Sequence, residues 1–142
     1  MAAAVAAQFR LTPRTSRSHF GTVLRVGAEV AAPTRRTLTS GGNLNVQSME
    51  LGAACRGYVT DRPDVIVHYT QPGPRLRFAV RGGGDTTLIV HTPDGRWLCD
   101  DDGGGDLNPL IEHLEPAAGQ YDVWVGSYRI GEYHPASLSV GP

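Results

Sequence analysis

Short alternations of apolar and polar residues, each closed by glycine or proline, leave this chain few ways to fold. Leu76, Phe78 and Val80 face one way while Arg75, Arg77 and Arg81 face the other, the period-two pattern of a half-buried strand. Tyr121, Val123 and Val125 alternate with Asp122 and Trp124, and Val65, Val67 and Tyr69 oppose Ile66 and His68. Of 142 residues, 18 are glycine and 10 proline, and long helical periodicities are missing. Together these predict many short strands joined by turns. Further strands are expected at Phe20–Val26, Thr34–Ser40, Leu44–Met49, Cys55–Val59, Thr86–Thr92 and Ala136–Val140. The segment Leu107–Glu115 suits either a helical turn or a strand. About eight to ten strands at regular spacing imply an all-β, antiparallel, jelly-roll-like β-sandwich.

Residues 1–18 read as a flexible N-terminal arm and residues 19–142 as the domain. Met1–Gln8 has the small-residue character of a signal-peptide end, but neither the basic start nor the full apolar core of a complete one. No apolar run reaches the length of a membrane-spanning helix. All 13 basic side chains are arginine and the formal net charge is −1, so no general attraction to nucleic acid follows. The basic residues are also not interleaved with aromatics on one face.

The densest chemistry lies in Trp97–Pro109, where Asp100, Asp101, Asp102 and Asp106 surround three consecutive glycines. Adjacent carboxylates repel unless a cation or water screens them. Glycines bring backbone carbonyls within reach, and calcium takes about six to eight oxygen ligands from flexible loops. The spacing does not fit an EF-hand, because counting from Asp100 puts Gly104 and Ile111 where acids belong. The expected site therefore draws on separate turns: Asp100 and Asp102 as the central pair, Asp106, Asp85 from the other glycine-rich turn, and the Asn108 amide. Asp101 is expected to face solvent or bond to backbone amides.

The chain has two cysteines, Cys55 and Cys99. They suit an extracytoplasmic disulfide closing a loop of about 45 residues, worth roughly 4 kcal/mol on the chain-entropy account. The alternative is a pair of buried free thiols.

Asp85-Thr86-Thr87-Leu88, Pro93-Asp94-Gly95, Asp100–Gly104 and Gly119–Gly126 stand in an order that resembles the bacterial pre-peptidase C-terminal (PPC) domain family, over about residues 44–141. The resemblance implies a secreted β-sandwich that often binds calcium and is commonly appended to extracellular peptidases. It assigns the metal to Asp85, Asp100, Asp101, Asp102 and Asp106.

Catalysis has little footing. Ser127 lacks the Gly-x-Ser-x-Gly setting of a nucleophile elbow, and His68, His91, His113 and His134 show no metal-ligand spacing. Recognition surfaces are better represented. Arg75, Arg77 and Arg81 form a basic row able to meet carboxylates or sulfated glycans. Trp97, Trp124, Tyr128 and Tyr133 could stack on a sugar or anchor a protein contact. The expected function is a non-enzymatic, calcium-binding, secreted or periplasmic module that binds an extracellular protein or polysaccharide, or assembles with itself through an edge strand. A calcium-assisted lectin and an accessory domain of a secreted peptidase are the alternatives.

Overall fold

The computed structural model describes residues 22–27, 33–71 and 73–142; the expected arm at residues 1–18 lies outside them. The strands are β1 (Thr22–Gly27), β2 (Thr34–Thr39), β3 (Leu44–Asn45), β4 (Tyr58–Val59), β5 (Val65–Gln71), β6 (Arg75–Gly82), β7 (Thr86–His91), β8 (Trp97–Asp100), β9 (Leu110–Leu114), β10 (Gly119–Ser127) and β11 (Pro135–Gly141). They form two sheets. The smaller runs β2-β11-β6-β9. The larger holds seven strands, with β10 at its centre pairing with β5, β4 and β7, and β8 beyond β7. The all-β sandwich read from the alternation is the observed fold.

One pairing departs from the antiparallel expectation: β1 lies parallel to β5. A parallel pair needs a long connection. The chain supplies one by crossing to the smaller sheet as β2 and returning through β3 and β4 before β5 begins.

Alternation places the core between the sheets. Leu76, Phe78 and Val80 of β6 and Leu138 and Val140 of β11 meet Val65 and Val67 of β5, Leu88 and Val90 of β7, and Tyr121, Val123 and Val125 of β10. Tyr121 sits at 6.2 Å from the Tyr69 ring and 5.8 Å from Phe78, the latter in a tilted arrangement, both within the range of favourable aromatic contacts.

A second apolar cluster covers the outer face of the larger sheet. Ile89 and Trp124 project there, beneath Val46, Cys55 and Val59, with Leu44, Met49, Leu51 and Trp97 around them. This explains why β7 is buried at every position. The expected Leu44–Met49 strand is instead a two-residue β3 followed by a 3-10 turn, Val46–Met49. Asn45 makes the difference, since its side chain accepts from Gln47 N while Ser48 Oγ donates to the Asn45 carbonyl. Such local bonds offer the backbone an alternative to the sheet ladder. Likewise the expected Cys55–Val59 strand shrinks to Tyr58–Val59, because Cys55 is held in the covering segment by a disulfide to Cys99 of β8, with Cα atoms 5.0 Å apart.

Candidate functional site

Strand register brings several connections to one end of the sandwich. Ser127 pairs with Thr86, Leu88 with Asp100, Ala136 with Gly82, Ala79 with Leu110 and Pro135 with Thr39. Residues 40–43, 83–85, 101–109 and 128–134 therefore emerge together. Asp85, Asp101, Asp102, Asp106 and Asn108 lie in this group, as do Tyr128 and Tyr133, and Asp100 ends the strand that leads into it.

The base of this end is tightly bonded. Ser40 Oγ and Ser127 Oγ lie 2.8 Å apart in a buried contact. Ser40 N donates to the His134 carbonyl at 2.9 Å and His134 N donates back to Ser40 Oγ at 3.1 Å. Tyr128 N donates to the Asp85 carbonyl at 3.0 Å and Gly83 N to that of Pro135 at 3.0 Å. Ser127 is thus a buried structural hydroxyl.

The acidic loop is organised by hydrogen bonds of its own. Asp100 Oδ2 accepts from Gly103 N and Leu110 N, both at 2.8 Å. A Cβ on Gly103 would fall 2.6 Å from that oxygen, so the approach needs glycine. Asn108 is buried, and its Oδ1 accepts from Gly82 N at 3.1 Å. Gly104 N also donates to the Asn108 carbonyl at 2.8 Å. Asp106 and Leu107 both adopt left-handed backbone, with φ of 52° and 63°.

The expected ligands are engaged in different ways. Asp100 and Asn108, the expected anchors, turn oxygens onto backbone amides, while Asp102 and Asp106 are exposed and Asp101 is half-buried. Among the described residues no group of three or more His, Cys, Asp or Glu could hold a metal ion. What the loop does create is crowded negative charge. Burial, then Asp102, pushes the Asp101 carboxyl above its ordinary range, against the pull of Arg56. Burial also raises Asp85; Asp102 and Glu132 add to the rise, while Arg129 and His134 oppose it.

The expected ligand surfaces are dispersed. Arg75 and Arg77 both pair with Glu112 of β9, at 3.0 and 3.2 Å, which lowers the Glu112 carboxyl; Arg81 is exposed further along β6. Trp124 is fully buried with Nε1 donating to the Asp61 carbonyl at 3.1 Å. Trp97 packs 5.6 Å from Trp124 and 4.5 Å from His91. The Trp124 indole therefore offers no open stacking face, while Trp97 is half-buried.

Exposed apolar side chains instead gather on the connection from β10 to β11. Ile130 is 62% exposed, Tyr133 53% and Tyr128 37%, and Leu107 on the acidic loop is 52% exposed. The Arg129 guanidinium lies 5.8 Å from the Tyr128 ring centre. Tyr128 and Tyr133 were legible as candidate contacts; Ile130 and Leu107 were not. Their signal was an apolar residue inside a glycine-bearing loop with no alternating partner.

No family model matches the chain. An uncharacterized protein of Synechococcus elongatus is 34% identical over 104 residues, covering 69% of this chain and 75% of that protein. Among solved structures, the periplasmic inhibitor of g-type lysozyme from Aeromonas hydrophila aligns with TM-score 0.43 and 19% identity, over 84% of this chain and 96% of that one. The pre-peptidase C-terminal domain of a collagenase from Bacillus anthracis aligns with TM-score 0.46 and 14% identity, over 83% and 93%. It is the class of domain that the sequence motifs resemble. Neither structural likeness carries a functional assignment to this chain.

Proposed function

This chain belongs to the same family as the Synechococcus elongatus protein, and from that premise we propose that it is a non-catalytic, extracytoplasmic module that binds another protein through the loop end of its sandwich. The observation that carries this reading is the trio Tyr128, Ile130 and Tyr133, held open to solvent on a loop whose base is fixed by buried hydrogen bonds. Apolar side chains left exposed together mark interaction sites, and a rigid base lowers the entropy lost on binding.

The Cys55–Cys99 disulfide supports an oxidising compartment, since such bonds persist outside the cytosol. No helix among the described residues is long and apolar enough to cross a membrane. The aromatic platform of a lectin is not supported, because Trp124 and Trp97 pack against the protein itself. The reading does not require calcium.

The test compares the chain with a variant carrying Tyr128→Ser, Ile130→Ser and Tyr133→Ser, each offered to a secreted or periplasmic extract of the source organism. The substitutions are exposed, so matching thermal midpoints are expected. Proteins retained by the unsubstituted chain and lost by the variant support the reading. Identical retention by both overturns it.

A further inference from the structure

The chemistry around the exposed apolar side chains indicates what kind of protein they would meet. Leu107 stands on the 101–109 loop, and Tyr128, Ile130 and Tyr133 stand on the 128–134 loop. Acids ring them. Asp101, Asp102 and Asp106 come from the first loop, Glu132 from the second, and Asp85 from the turn between β6 and β7. These loops are in electrostatic contact, since Asp85 senses Asp102, Arg129, Glu132 and His134 together. Among the described residues the opposing cations at this end are Arg129, whose guanidinium lies 5.8 Å from the Tyr128 ring centre, Arg56 beside Asp101, and exposed Arg81 at the end of β6. His134 Nε2 lies 3.3 Å from Glu132 Oε1.

We propose that this end docks a folded cationic protein, with Leu107, Tyr128, Ile130 and Tyr133 as the apolar centre and the carboxylates as a complementary rim. The inference rests on the binding-module reading and narrows it. Interfaces commonly combine a desolvated apolar centre with a polar rim. Complementary charge in that rim sets orientation, speeds encounter and rejects partners of the wrong sign. Here the rim carries an additional drive: its acids repel one another in the free chain, and basic side chains on a partner relieve that repulsion. A neutral or acidic partner would add to it.

Isotope-labelled chain with its disulfide intact is titrated with ribonuclease A as a compact cationic probe and with α-lactalbumin as an acidic one. Amide chemical shifts are followed at low salt and again at about 0.5 M salt, where surface charges are largely screened. The expected result is shifts confined to residues 101–109, 128–134 and their neighbours, with ribonuclease A only. Affinity should fall by about tenfold or more in high salt, and comparably in an Ile130→Ser/Tyr133→Ser variant whose spectrum otherwise overlays the parent. Shifts with α-lactalbumin alone, with neither probe, or on another face overturn the cationic assignment. The broader binding reading falls separately, only if the triple loop variant also retains the same proteins from extract.

Discussion

Asp64 is 1% exposed, with Oδ2 accepting from Val125 N at 2.7 Å and Oδ1 without a hydrogen-bond partner among the described residues. Burial pushes its carboxyl up to about 7, partly offset by the Val125 amide. In the unfolded chain an aspartate titrates near 3.9. The folded protein therefore keeps a proton that the unfolded chain releases between those values. The resulting stability is fully present below about pH 4 and is lost as pH rises through about 7. A shift of that size corresponds to something on the order of 4 kcal/mol. Urea unfolding from pH 4 to 8 should show the decline, and Asp64→Asn, which keeps the acceptor but cannot ionise, should remove most of it. A slope unchanged in the variant would place the titration elsewhere. None of this was legible in the sequence, where Pro63-Asp64 looks like an ordinary strand entry; only the register of β5 against β10 buries that carboxyl. The same holds for Asp100. Its place in an acidic run suggested a metal ligand, whereas the fold aims its carboxylate at two amides.

At the scale of elements, β8 holds down both loop and cover. Asp100 at its end closes the 101–109 loop, and Asp100→Ala should destabilise by about 2 kcal/mol, because Gly103 N and Leu110 N lose their acceptor. Asp100→Asn retains an oxygen and should cost less, as measured by the same urea transitions. One residue earlier, Cys99 ties β8 to the segment carrying Cys55 across a sequence separation of 44. Replacing both cysteines with serine should lower stability by roughly 4 kcal/mol on the loop-entropy account. Calorimetry of the double variant checks this, with hydrogen exchange expected to rise first in residues 44–57. The strands with strong alternation, β5, β6 and β10, were plain in the sequence because one face of each meets the core. The 3-10 turn was hidden, since Leu44, Val46 and Ser48 mimic strand alternation until the Asn45 cap is considered. Leu110–Leu114 was ambiguous for its shortness and became a strand by pairing with β6. The parallel partner of β1 depends on long-range topology that no local pattern encodes.

For the whole molecule, the sandwich and the crosslink could be anticipated from period-two patterning and a lone cysteine pair, but the internal hydrogen bonding of the acidic loop could not. Convergence of side chains is a three-dimensional property: Asp100 and Asn108 accept from backbone amides while Asp102 and Asp106 are exposed. Thermal melts in millimolar calcium and in chelator should therefore coincide. A midpoint raised by several degrees in calcium would show that the loops reorganise around the ion.

The division of labour between the sandwich and its exposed tips has a practical consequence. Strand register is set by pairs such as Val123 with Val90 and Leu138 with Val80, away from those tips. The exposed residues 105–107 and 129–131 are therefore where substitution disturbs the frame least. A foreign epitope spliced into the same stretch would be displayed on a crosslinked support.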